Sequence, residues 1–114
     1  MGLIYKIIAI DEWRLAEETG VFNGSAVDRA DGYIHFSTAE QVAKTAAKWF
    51  ANRADLHLVA VDAKGLGEAL RWEISRDDAL FPHLYSALPM SAVRWQRALP
   101  IGGDGRHEFG RLEA

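Results

Sequence analysis

The stretch that decides the fold reads DGYIHFSTAEQV and spans residues 31–42. Its centre, YIHFS, alternates polar and apolar side chains, as a strand with one buried face does. Side chains of a strand point alternately to its two faces. One face therefore receives Ile34 and Phe36, and the other receives Tyr33, His35 and Ser37. His35 does not interrupt a core, and the strand is expected to present a polar face elsewhere.

The residues that follow predict an amphipathic helix over 39–53, AEQVAKTAAKWFANR. Thr38 and Gln41 have the spacing of a capping box, in which each side chain bonds to the other residue's backbone N–H, and so do Ser37 and Glu40. One face of the helix collects Val42, Ala46, Trp49 and Phe50, whereas the lysines fall elsewhere. This pattern predicts that Trp49 is buried beneath the sheet.

Outward from this stretch, the sequence alternates strands and turns. LIYKIIAI at 3–10 predicts a buried strand, followed by a helix that Asp11 caps and that stops at Gly20. Residues 21–32 predict a loop with one short helical turn. Further strands are predicted at 56–62, 70–75 and 92–100. The order indicates a single α+β domain over 1–102, with a mixed or antiparallel sheet of about five or more strands and two main helices. A flexible polar tail is expected at 103–114.

Composition narrows the class of protein. The chain has 114 residues, 49% of them hydrophobic, a net charge of −3 and no cysteine. Cysteine chemistry is therefore excluded, and no strong nucleic-acid signal is present, since such binders usually carry a basic stripe. No apolar run approaches the ~20 residues of a membrane helix, and no signal peptide is recognisable. A cytoplasmic protein without a membrane partner is expected.

Two more segments carry polar residues on one face. In LRWEIS, Trp72 and Ile74 are predicted to face the core, and the opposite face receives Arg71, Glu73 and Ser75. In FPHLYS, Leu84 is predicted to face the core, with His83 and Tyr85 opposite. Pro82 favours an extended conformation at the preceding residue, Phe81, which supports the interpretation of this segment as extended. On adjacent strands, the three polar faces would converge into one cleft.

Each of these residues also has a purely structural interpretation. His35 would then be a hydrogen-bonding residue of the fold, Arg71 and Glu73 a surface ion pair, and His83 with Tyr85 an anchor beside a turn. A third interpretation would join His35, His83 and Glu73 as two imidazoles and a carboxylate on a metal. No HxxxH or HExxH spacing supports this, so no metal site is predicted.

The chain resembles the small bacterial domain-of-unknown-function family 952. The resemblance rests on Trp13 with Gly20 and on DGYIHFSTAEQV at 31–42, DLHLVAVD at 55–62, LRWE at 70–73, FPHLY at 81–85 and AVRW at 92–95. It implies a minimal fold of the ADP-ribosyltransferase type, a split mixed sheet whose cleft binds NAD in the enzymes of that superfamily. It also implies that His35 holds a ribose or phosphate, that Tyr33 or Tyr85 stacks on nicotinamide, and that Glu73 orients a ribose hydroxyl. In the related RNA 2′-phosphotransferases, Arg and His hold phosphates, and Arg71, His35 and His83 resemble these.

The leading hypothesis is therefore a domain that binds a nucleotide such as NAD or ADP-ribose. The catalytic candidates are His35, Glu73 and His83, and the binding candidates are Tyr33, Ser37, Arg71 and Tyr85. An arginine fork suits a phosphate, and a histidine suits acid–base work near neutral pH. The reaction would be a glycosyl or phosphoryl transfer with NAD as a substrate. The alternatives are binding without turnover, and a protein-interaction domain whose partner the sequence does not name.

Overall fold

Short apolar runs separated by glycine-containing and acidic turns give this chain many short elements. The computed structural model describes residues 2–114, apart from the side chain of Arg76. In chain order the elements are β1 (Leu3–Ala9), α1 (Ile10–Thr19), β2 (Val21–Phe22), α2 (Ala26–Asp31), β3 (Ile34–His35), α3 (Val42–Trp49), β4 (Leu56–Asp62), β5 (Leu70–Ile74), β6 (Leu80–Leu84), β7 (Leu88–Pro89) and β8 (Val93–Ala98). Three 3₁₀ helices lie at Ala63–Ala69, Arg76–Asp78 and Met90–Ala92. The pairs among these strands are antiparallel, which agrees with the predicted α+β class.

The central sheet has the order β1-β4-β8 and carries a core on each face. A strand that is covered on both sides needs apolar residues at nearly every position, and β1 and β4 are buried along almost their whole length. On one face, Ile4 and Ile8 pack with Trp13 of α1. On the other, Tyr5 and Ile7 pack with Val42 and Ala46 of α3 and with Leu99.

A second sheet, of order β3-β6-β5, is joined to the first by a backbone bridge. There Tyr5 of β1 and Ser37 exchange backbone hydrogen bonds of 2.8 Å each. Beyond this bridge the strands diverge, and the ammonium group of Lys6 donates to the carbonyl of His35 at 2.9 Å. A lysine side chain thus spans the gap that the split leaves open. A two-stranded sheet of β2 and β7 completes the architecture.

The helix boundaries follow the predicted signals in part. Gly20 ends α1 in the left-handed conformation, as predicted. The prediction that Asp11 caps this helix is wrong, because Ala9 is the capping residue and Asp11 lies in the first turn. Before α3, Thr38 and Gln41 exchange the predicted reciprocal bonds, at 3.0 and 3.2 Å.

Three apolar side chains do not reach the core as predicted. Trp49 is 63% exposed, whereas Val42, Ala46 and the following Phe50 make the contacts with the second core. Trp72 and Ile74 are exposed too. Both lie on the same face of β5 as Leu70, which packs against the first core, but they are further along the strand than this contact.

The C-terminal residues make contacts with the second core. Phe109 and Leu112 pack against the cluster around Tyr5 and Leu99. The hydroxyl of Tyr5 donates to the carbonyl of Glu113, and Ile101 pairs with His107. The sequence predicts that residues 103–114 are flexible. That expectation stays a prediction beside these contacts.

Candidate functional site

The three polar segments meet on one face of the sheet formed by β3, β6 and β5. Antiparallel pairing sets His35 opposite His83, and His83 opposite Arg71. Residues that pair across strands point to the same face, so these side chains gather on one side, together with Glu73. The structure brings the segments together as the alternation of side chains predicts. The chemical roles assigned to them stay predictions.

His35 is held between two carboxylates. Its Nδ1 lies 2.6 Å from Oδ1 of Asp28, and its Nε2 lies 2.9 Å from Oδ2 of Asp31. An ionised carboxylate accepts but does not donate, so both contacts are hydrogen bonds at once only when both ring nitrogens carry protons. The backbone N–H of His35 also donates to Asp28, at 3.1 Å. The ring is thus fixed in orientation from both of its nitrogens.

Asp28 is itself fixed by the start of α2 and by a buried lysine. It forms a capping box with Ser25, whose N–H donates to it at 2.9 Å. Lys6 is buried, and its ammonium nitrogen lies 3.1 Å from the same carboxylate. Burial alone would raise the pKa of Asp28, but the hydrogen bond from His35 and the charge of Lys6 outweigh it and hold this pKa far below its ordinary value. Burial lowers the pKa of Lys6, an effect that Asp28 partly counters.

His83 is held by a carboxylate of its own. Its Nδ1 lies 2.7 Å from Oε1 of Glu73, and the same oxygen accepts a hydrogen bond of 2.7 Å from the hydroxyl of Tyr85. These bonds, from Tyr85 first and His83 second, lower the pKa of Glu73. The bond to Glu73 in turn raises the pKa of Tyr85. The guanidinium of Arg71 lies over the Tyr85 ring, 4.7 Å from its centroid.

Tyr33 lies at the centre of the cluster. Its ring stacks on His83 with 4.1 Å between centroids, and it contacts His35 at 4.6 Å and Tyr85 at 5.2 Å. The two imidazoles are 5.7 Å apart. Burial, followed by the charges of Asp31 and Glu73, raises the pKa of Tyr33. We call the six residues of this cluster the histidine wall, which consists of Tyr33, His35, Arg71, Glu73, His83 and Tyr85.

A cleft of about 570 Å³ opens along the histidine wall, where the two sheets split. Tyr33, His35 and His83 line the cleft, whereas the wall residues Arg71 and Glu73 are not among its described lining residues. Ser37 lies on the floor, 2.9 Å from the hydroxyl of Thr45. The volume is in the range of small-ligand sites. Ser37 thus belongs to the cleft but not to the aromatic cluster.

Four residues of the site were not found from the sequence. Asp28 follows Ser25 at capping-box spacing, which is a usable signal. Lys6 is the one charged residue among the apolar residues of β1, and a buried charge normally has a partner. Asp31 precedes Gly32, which ends α2, and no pattern in the sequence indicated that Asp31 belongs to the site. Trp49 lines the cleft but carried the pattern of a core residue.

Within residues 2–114, no group of three or more His, Asp or Glu side chains is arranged to hold a metal ion. None of the helices in the described part of the chain is both long enough and apolar enough to cross a bilayer.

The fold and the site define a small α+β protein with a cleft lined by histidines that carboxylates hold. The chain belongs to the family described as protein of unknown function (DUF952), whose model matches residues 7–96. It is similar to protein CC0527 from Caulobacter crescentus. The crystal structure of CC0527 matches with a TM-score of 0.89 at 52% identity, over 93% of each chain. Its solution NMR structure matches with a TM-score of 0.84 at 53% identity, over 93% of this chain and 91% of that one. No curated protein matches the chain.

Proposed function

We propose that the cleft binds a nucleotide of the NAD or ADP-ribose type, with its ribose and phosphate groups at the histidine wall. The observation that carries the proposal is the pair of imidazoles 5.7 Å apart, each with a ring nitrogen on a carboxylate. A carboxylate fixes the ring and its tautomer and stabilises the imidazolium. Two such rings can bond to a phosphate or ribose oxygen together, or serve as acid and base.

The contact between His35 and Asp31 indicates how an anion would bind. Asp31 is about half exposed, and its carboxylate occupies the Nε2 side of the ring, while buried Asp28 holds the other side. An oxygen of a phosphate has the same acceptor chemistry as Asp31. A ligand phosphate would therefore replace Asp31 at His35 without disturbing Asp28. The split between β1 and β3, with the cleft at the divergence, supports an ADP-ribosyltransferase-like fold as part of this proposal.

Binding without turnover is the second candidate, and one observation favours it. Glu73, which would orient a ribose hydroxyl in a transferase, already accepts bonds from His83 and Tyr85 and is not among the residues that line the cleft. A carboxylate engaged in this way holds the neighbouring rings of the wall and is not free to act on a ligand. NAD consumption by the protein, followed by chromatography, separates the two candidates. Release of nicotinamide indicates an enzyme, and stable NAD in a saturated complex indicates a binding domain.

The test of the proposed function is an amide NMR titration with NAD, ADP-ribose and inorganic phosphate. We expect NAD and ADP-ribose to shift the resonances of residues 33–37 and of His83 together. His35→Gln and His83→Gln should each weaken binding, whereas His57→Gln should leave it unchanged, because His57 is not among the residues that line the cleft. Spectra that do not change at millimolar nucleotide would refute the proposal.

A further inference from the structure

Outside the histidine wall, the cleft is lined by a large exposed aromatic ring. Trp49 is the last residue of α3 and remains 63% exposed although it lines the cleft. One helical turn earlier, Thr45 lies at 2.9 Å from Ser37 on the cleft floor. Trp49 therefore stands about 6 Å further along the helix axis from that point. A tryptophan of this exposure contributes little to the core, and its position in the cleft leaves the ring accessible to a ligand.

Neighbouring side chains complete this part of the cleft. Phe50 and Arg53 also line it, and the Arg53 guanidinium lies 5.7 Å from the Phe50 ring centroid. Asp55 holds Arg53 by two bonds of 2.9 and 3.1 Å. The ammonium group of Lys48 lies 5.3 Å from the Trp49 ring centroid. Aromatic rings with nearby cations are the usual surroundings of a stacked nucleic-acid base.

The tyrosines first considered for stacking are less suited to it. Tyr85 is not among the residues that line the cleft, and Tyr33 stacks on His83 within the wall and also contacts His35. A base that stacks on Tyr33 would have to compete with these ring contacts. Trp49 is more accessible, because most of its surface is already exposed.

We propose that Trp49 is the stacking platform for the aromatic base of the ligand, and that the cleft takes an extended nucleoside phosphate. The proposal rests on the proposed function, because the ribose and phosphate of the same molecule occupy the histidine wall. Every base presents a π-face, so the platform recognises an aromatic base in general. The ligand class is thus a nucleotide with a base at one end and a ribose phosphate at the other.

The test compares ligands with and without a base on matched variants. ADP-ribose, ribose 5-phosphate and adenosine are titrated by calorimetry into the wild type and into Trp49→Leu, Trp49→Phe and Trp72→Leu. Trp72 is also exposed but is not among the residues that line the cleft, so it serves as the matched control. Trp49→Leu should weaken ADP-ribose roughly 5- to 150-fold, the range expected for the loss of one stacked base. Ribose 5-phosphate should bind unchanged, Trp49→Phe should retain most of the affinity, and Trp72→Leu should behave as the wild type.

The outcomes separate this inference from the proposed function. Equal affinity of the wild type and Trp49→Leu for ADP-ribose would overturn the platform and leave the histidine wall untouched. Loss of ribose 5-phosphate binding in Trp49→Leu would also overturn it, because the tryptophan would then act on the phosphate end or on the fold. Adenosine that binds through Trp49 as tightly as ADP-ribose would support the platform and count against the proposed function. No binding of any of the three to the wild type would refute both.

Discussion

Replacing Asp28 by Asn should destabilise the protein strongly. The carboxylate is 2% exposed and lies 3.1 Å from the ammonium of Lys6, which is itself 8% exposed. Asn keeps the shape but removes the negative charge, so a buried lysine is left without a counterion. Breaking a buried ion pair by removing one partner typically costs about 3–5 kcal/mol. This is a large part of the roughly 5–15 kcal/mol by which a domain is stable.

The assay is urea unfolding followed by circular dichroism. With an m-value of about 2 kcal/mol/M, the midpoint should fall by roughly 1.5–2.5 M at neutral pH. Lys6→Met combined with Asp28→Asn is the matched control, because it removes both charges and places a flexible apolar chain between Phe22 and Phe36. The double variant should recover most of the loss. A loss below about 1 kcal/mol for Asp28→Asn alone would refute the reasoning.

The stabilisation that the Asp28 carboxylate provides should also depend on pH. The pKa of Asp28 is lowered in the folded protein, so the stabilisation is complete above the unfolded value of about 3.9 and is lost as the pH falls toward the folded value. The difference in stability between the wild type and Asp28→Asn should therefore shrink on acidification below about pH 4. An undiminished difference at about pH 3 would show that the charge of Asp28 is not its cause.

Three further predictions follow from single sites. Trp49→Ala should cost less than about 1 kcal/mol, because the ring is mostly exposed, whereas buried Trp13→Ala should cost about 3–5 kcal/mol; equal losses in urea unfolding would contradict the assigned burial. Glu73→Gln should lower the pKa of Tyr85, because in the wild type the Tyr85 hydroxyl donates to the charged Glu73 carboxylate and this bond raises the pKa. Ultraviolet titration of the phenolates measures the change, and an unaltered titration curve would count against that bond. Gly24→Ala should destabilise the protein by about 1–3 kcal/mol, since Gly24 has φ +104° and an added Cβ would lie 2.9 Å from the Cβ of Asp28. Gly65→Ala is the control, because a Cβ at Gly65 would meet open space at an ordinary φ. Similar thermal midpoints of the two variants would refute this prediction.

The longer strands, the strand around Ile34 and two of the helix-end signals were predictable because their signals are local. Period-two alternation identified the strand around Ile34, and the run of apolar residues identified β1 and β4. The glycine at position 20 and the Thr38–Gln41 box were read from capping chemistry, which depends on residues within one turn. The two-residue strands β2 and β7 were missed, since each is too short to show a period.

Burial at the ends of elements was harder to predict. The helical pattern that placed Trp49 with Val42 and Ala46 does not show what lies opposite each residue: Phe50 packs against the second core at this end of α3, and Trp49 is exposed. The same holds for Trp72 and Ile74 on β5. A periodic pattern gives the direction of a side chain, whereas its burial depends on what other elements place opposite it.

The sequence by itself determined which polar residues share a strand face, because the direction of a side chain is a property of the local backbone. It thereby selected His35, Glu73, His83 and the two tyrosines of the histidine wall. Only the tertiary structure decided which groups hold them. Asp28, Asp31 and Lys6 come from α2 and β1, and they reach His35 because the two sheets split beside it. Hydrogen bonds and charge pairs act over a few ångströms in space, and the folded chain alone sets those distances.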